Sequence, residues 1–205
     1  MISRRLLPLL FLCALALFAT LPARGNAACV LVLGDSISAG LGVPAGAGWV
    51  DLLRPALEGC EVVNASISGE TTEGGKARLP ALLEQHRPRL VVLELGGNDG
   101  LRGFPLALTR ANLATMIATA REAGARVLLL GMRIPPNYGP RYSEGFHALF
   151  SELAEETGSA LVPFLLEGIA TDPALMQTDG VHPTPEAQPL ILANVLPVLA
   201  PLIRE

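Results

Sequence analysis

A chain of 205 residues, half of them hydrophobic, has room for one domain with a sizeable core. Its formal charge is −4, from 15 basic against 19 acidic side chains, and Lys76 is the only lysine. That balance excludes the basic footprint a nucleic-acid-binding surface needs.

The first 27 residues read as a cleavable signal peptide. Arg4 and Arg5 form a basic start, residues 6–21 carry no charge, and small residues surround a cleavage point after Ala27. The apolar run contains Pro8 and falls short of the ~18 residues expected of a membrane span. Cleavage would leave residues 28–205 as one periplasmic or secreted domain, with 12 basic and 19 acidic side chains and a formal charge near −7. No stable membrane insertion is then expected, and neither Cys13 nor Cys29 lies in a good lipobox.

Residues 30–33 are a continuous apolar run, a short buried strand that stops at Gly34-Asp35-Ser36. Gly-Asp-Ser alone is ordinary turn chemistry. A serine released at the carboxyl end of a strand in an open α/β sheet, however, stands where ligands bind. Residues 49–57 have helical spacing, and residues 61–65 read as a second strand. Thr72 is expected to cap a helix running toward His86, where Arg87-Pro88 ends it. A third strand covers residues 90–94, a long helix about 106–123, and a fourth strand 126–130. Residues 132–139 hold too much proline for a helix, residues 143–157 are helical, and 160–163 form a short fifth strand. A loop then reaches Asp179-Gly180-Val181-His182-Pro183, and Thr184 is expected to cap a last helix with Pro185 in its first turn. Residues 190–203 are apolar but short and hold Pro197 and Pro201, so a helix packed on the sheet is expected there.

Apolar strands alternating with helices imply a parallel sheet covered on both faces. Right-handed crossovers make it a doubly wound three-layer α/β sandwich of five strands, in the flavodoxin-like order 2-1-3-4-5. In that architecture Ser36, Gly69, Asn98, Asp179 and His182 all follow strands and open on one rim. Cys29 and Cys60 each precede a strand; as parallel neighbours their first residues fall within disulfide reach. A Cys29–Cys60 bridge is therefore expected, with two buried free thiols as the alternative.

A serine hydroxyl is a poor nucleophile until a base takes its proton, and histidine is the usual base. A carboxylate on the far nitrogen fixes the tautomer and stabilises the imidazolium. Asp179 and His182 are spaced so that a turn could join them, leaving the other nitrogen for Ser36. The amides of Ser36 and Gly69 and the carboxamide of Asn98 are candidate donors to an oxyanion. His86, ending a helix, and His147, within one, are read as structural. Gly40-Leu41-Gly42-Val43-Pro44-Ala45 fits a dinucleotide-binding fingerprint by letter only, since it begins too far past the strand. No spacing of His, Cys and Asp suits a metal, so neither metal nor cofactor is expected.

At these positions the sequence resembles the SGNH (GDSL) hydrolase family. Its hallmark blocks stand in order as Gly34-Asp35-Ser36, Gly69, Gly97-Asn98 and Asp179-x-x-His182. Over nearly all of residues 28–205 it is similar to that family's bacterial periplasmic acyl-CoA thioesterase, lysophospholipase and arylesterase type. The blocks carrying the closer likeness are Asn64-Ala65-Ser66-Ile67-Ser68-Gly69, residues 94–103, Pro136-Asn137-Tyr138-Gly139 and Asp179-Gly180-Val181-His182-Pro183. The resemblance implies Ser36 as nucleophile, Gly69 and Asn98 as oxyanion donors, and Asp179 with His182 completing a triad. It also implies that residues 75–80 move over a bound acyl chain. Glu70 departs from the aspartate more usual after the glycine, and the cysteine pair is not part of the family pattern.

The resulting expectation is an exported serine esterase or thioesterase, acting on small acyl esters through an acyl-serine intermediate, as a monomer. Leu101, Phe104, Pro135 and Tyr138, from two long rim loops, are expected to line its acyl pocket. A carbohydrate O-acetylesterase on the same scaffold and a non-catalytic binding module are the alternatives.

Overall fold

A computed structural model describes residues 29–204; the expected signal peptide, residues 1–27, lies outside them. The apolar runs form β1 (Val30–Gly34), β2 (Val62–Asn64), β3 (Leu90–Glu94), β4 (Arg126–Leu130) and β5 (Ala160–Val162). They pair in parallel in the order β2-β1-β3-β4-β5. Every residue of β1 and β3 is buried, as a strand covered on both faces requires.

Alternate side chains feed two cores. Leu31, Leu33, Val91, Leu93, Val127 and Leu129 pack with residues of α3 (Thr72–His86), α5 (Leu106–Glu122) and α6 (Pro140–Thr157). Val30, Val32, Leu90, Val92, Leu128 and Leu130 pack with α2 (Trp49–Ala56) and α7 (Gln188–Arg204). A one-residue slip would exchange these faces, so the register is strongly specified. Truncating a fully buried Leu31 or Leu93 to alanine should cost about 2–5 kcal/mol. The helical stretch Pro185–Arg204, which includes α7, is apolar and long enough to cross a membrane, yet Ile191, Val195 and Leu199 are buried in the second core.

The register also sets up the rim. Gly34 pairs with Glu94 and Val32 with Asn64, so β1, β2 and β3 deliver their following loops to one edge. At the other end of the sheet the sulfurs of Cys29 and Cys60 are bonded, with Cα atoms 5.1 Å apart.

Several boundaries differ from expectation. Two short helices at the strand ends, α1 (Ser36–Ala39) and α4 (Gly97–Leu101), stand where the sequence indicated only turns. Thr71, not Thr72, caps α3, accepting from the Gly74 amide at 3.3 Å. The Thr72 hydroxyl is instead taken by buried Asp99, whose other oxygen accepts the Thr72 amide at 2.9 Å. Residues 136–138 make one 3-10 turn in the stretch expected to hold no helix, and α6 begins at Pro140, with proline in its first turn. Thr184 precedes a 3-10 turn, but its hydroxyl makes no cap bond. Residues 75–80 lie inside α3: Leu79 is fully buried, and a Cβ on Gly75 would fall 2.3 Å from Leu95 Cδ1. That stretch is a packed helix rather than a cover.

Candidate active site

β1 ends in Gly34 and the chain turns at once into α1. A Cβ on Gly34 would sit 2.5 Å from a Glu94 carboxyl oxygen and 2.8 Å from Ser38 Cβ, so the close approach requires glycine. Asp35 caps α1, its Oδ1 accepting from the Ile37 amide at 3.0 Å. Ser36 is thereby fixed at the helix start, with only 8% of its surface exposed.

Its hydroxyl oxygen lies 2.8 Å from His182 Nε2. On the far side, His182 Nδ1 lies 2.6 Å from Asp179 Oδ2. Asp179 Oδ1 also accepts the amides of Val181 at 2.9 Å and His182 at 3.0 Å, so one side chain folds the turn and orients the ring. Gly180, at φ +67, supplies the left-handed residue the turn needs. A carboxylate only accepts, so Nδ1 carries the proton and Nε2 is left to accept from Ser36. The backbone and side-chain hydrogen bonds from His182 pull the Asp179 carboxyl down to about 2, so it is ionised across the working range.

The opposite wall is built on Asn98. Asn98 Nδ2 donates to Asp35 Oδ2 at 3.1 Å and to the Glu70 carbonyl at 3.0 Å. The carboxamide is thus held between the residue before Ser36 and the residue after Gly69. Among the described residues, no protein acceptor takes the amide of Ser36 or Gly69. Gly69 adopts φ +79, and its carbonyl accepts from Arg102 at 3.1 Å. Glu70 pairs with Arg78 at 2.8 Å, and Arg78 also donates to the Ala65 carbonyl at 2.9 Å. The glutamate that departs from the family pattern therefore braces the loop carrying Gly69.

Behind Asp35 lies Glu94, wholly buried at the end of β3. One of its oxygens accepts the amides of Asp35 at 3.0 Å and Ser38 at 3.3 Å; the other, Oε1, is buried without a donor. Trp49 Nε1 closes the pocket by donating to Ser38 Oγ at 3.2 Å. Burial, reinforced by the Asp35 charge, pushes Glu94 well up, and burial raises Asp35 to about 6. Two such groups cannot both ionise cheaply, so they titrate as a pair sharing a proton.

Ser36, Asn98 and His182 open into a cleft of about 570 Å³, within the ~300–1,000 Å³ usual for small-molecule sites. Leu101 and Pro135 line it, but Phe104 and Tyr138 do not. Tyr138 is turned away: its hydroxyl donates to the Leu101 carbonyl at 2.7 Å and its ring stacks on Tyr142, beside a separate shallow groove. The Phe104 carbonyl is tied to the Tyr142 hydroxyl at 2.6 Å. The apolar wall comes instead from Ile134, Phe164, Leu166 and Met176. The last three belong to the connection after β5, an aperiodic stretch that the sequence marks only as a loop.

Comparisons with known proteins identify the family. Residues 32–189 match the model of the GDSL-like Lipase/Acylhydrolase family. Esterase TesA of Pseudomonas aeruginosa is 56% identical over 178 residues, 85% of this chain and 89% of the relative. Thioesterase 1/protease 1/lysophospholipase L1 of Escherichia coli (strain K12) is 46% identical over 198 residues, 96% of this chain and 93% of the relative. The crystal structure of the psychrotrophic esterase EstA from Pseudoalteromonas sp., inhibited by monoethylphosphonate, is similar at a TM-score of 0.82 and 41% identity, over 86% of this chain and 99% of that one. The chain therefore belongs to the GDSL (SGNH) lipase/acylhydrolase family and is an ester and thioester hydrolase.

Proposed function

We propose that this hydrolase cleaves acyl esters and thioesters through an acyl-Ser36 intermediate, acting outside the cytoplasm after removal of residues 1–27. The observation that carries the reading is the relay from Asp179 Oδ2 through His182 to Ser36 Oγ, with links of 2.6 and 2.8 Å. His182 Nε2 takes the hydroxyl proton as Ser36 Oγ attacks the acyl carbon. The amides of Ser36 and Gly69 and Nδ2 of Asn98 receive the developing oxyanion. Both protons on Asn98 Nδ2 already have protein acceptors, so the oxyanion shares or displaces one of those bonds. On collapse, His182 returns the proton to the leaving oxygen or sulfur. It then takes a proton from the water that attacks the acyl-enzyme, and free Ser36 is regenerated.

The apolar cleft suits an acyl chain, and aryl, coenzyme A and lysophospholipid leaving groups are the substrate classes this reading includes. Inhibition of the Pseudoalteromonas esterase by monoethylphosphonate supports attack by a protein nucleophile. All three relay groups come from one chain, so the relay needs no residue from a partner subunit. An oxidising compartment would maintain the Cys29–Cys60 bridge.

A p-nitrophenyl ester series from acetate to palmitate, run on the wild type and Ser36→Ala, tests the reading. It expects rates that rise beyond acetate and collapse in the variant. A sharp preference for acetate would favour the O-acetylesterase alternative. Full activity in a folded Ser36→Ala protein would overturn the mechanism.

A further inference from the structure

Arg133, three residues beyond β4, lines the same cleft as Ser36 and His182. Its guanidinium carbon lies 5.4 Å from the centroid of the Phe164 ring. Its Nη2 lies 3.0 Å from His147 Nε2, while His147 Nδ1 is 3.3 Å from the Met132 carbonyl. A carbonyl only accepts and a guanidinium only donates, so this imidazole is neutral, with its proton on Nδ1. Its ring also meets Phe164 edge-on, with centroids 6.5 Å apart. The arginine is therefore held in place by an aromatic face and a neutral imidazole.

That support leaves its charge uncompensated. Arg78 and Arg110 are paired with Glu70 and Glu156. No carboxylate among the described residues lies within ion-pair distance of Arg133. Glu167 lines the same cleft without pairing to it. Among the described residues, one of the five guanidinium N–H donors has a partner. A guanidinium already ordered by stacking loses little freedom on binding, and its fork matches two oxygens of one phosphate. On a chain of net negative charge, a fixed cation in the cleft offsets the general repulsion of an anionic substrate.

We propose that Arg133 forms a subsite for a phosphate group carried by the leaving group of the substrate. The inference rests on the hydrolase reading above and narrows it to phosphate-bearing esters or thioesters. The phosphate could be that of a lysophospholipid headgroup or one of those on coenzyme A; both offer the same oxygens to the fork.

The test compares kcat/KM for lysophosphatidylglycerol and acyl-CoA with that for a neutral monoacylglycerol of the same chain length. In Arg133→Gln the ratio of phosphate-bearing to neutral substrate should fall about 10- to 100-fold, the range of a lost charge-assisted hydrogen bond, chiefly through KM. Glu167→Gln should move the ratio the other way. Loss on one phosphate substrate alone would support the subsite and identify its source. An equal loss on neutral and phosphate substrates, or none on any, would overturn it. Failure of the underlying hydrolase reading would show separately, as wild-type hydrolysis of p-nitrophenyl esters that does not need Ser36.

Discussion

The two walls of the site hold aspartates under opposite control. Asp179, on the open turn, accepts two amides and an imidazole N–H, and its carboxyl is drawn down to about 2. Asp35, one residue before the serine, is buried beside Glu94 and is raised to about 6. One carboxylate stays charged to hold a base; the other belongs to a pair holding a proton and positions the Asn98 carboxamide. Environment rather than residue type assigns the roles.

Four substitutions probe this contrast, in descending order of expected effect. Ser36→Ala or His182→Ala should lower kcat by about 10³–10⁶-fold, by analogy with serine proteases, without loss of the folded state. Asp179→Asn keeps an oxygen for the amides of Val181 and His182 but offers Nδ1 no anion. A loss of about 10²–10⁴ in kcat with an unshifted melting temperature is expected. Asn98→Ala removes one of the three proposed oxyanion donors and should cost about 10²–10³, read in kcat more than in KM.

Glu94→Gln should act mainly on stability. A folded carboxyl pKa raised above its unfolded value of ~4 gives a contribution fully present below that value. The contribution is lost as pH rises through the folded pKa, about 6 for Asp35, with Glu94 also raised well above its ordinary range by burial. Wild-type unfolding free energy should therefore carry a component that falls as pH rises from about 4 through about 6 and above, and glutamine at 94 should reduce that slope. Its side-chain oxygen can still take the amides of Asp35 and Ser38. Parallel slopes in urea titrations of the two proteins would contradict the shared proton. Glu94→Ala would instead strand the amides of Asp35 and Ser38 and cost about 1–3 kcal/mol at either pH.

What could be read in advance followed from periodicity. The apolar runs of β1, β3 and β4 are fully buried strands, and strand order alone sends Ser36, Asn98, Asp179 and His182 to one rim. Side chains whose partners are tertiary were hidden. Thr72 looked like a cap because nothing local shows that Asp99 takes its hydroxyl, leaving Thr71 to cap. Phe164, Leu166 and Met176 sit in a connection with no repeat, so of the four residues expected at the cleft wall only Leu101 and Pro135 line it, while hydrogen bonds through Tyr142 and Leu101 hold Phe104 and Tyr138 elsewhere. Glu94 did leave a signal: a charged residue closing an otherwise apolar buried strand, opposite Gly34.

The most direct test is a fluorophosphonate adduct located by intact mass and peptide mapping. One adduct per chain, on the peptide carrying Ser36, lost in Ser36→Ala and slowed in His182→Ala, is the predicted result. An adduct on another residue, or labelling that persists in folded Ser36→Ala, would contradict attack by Ser36.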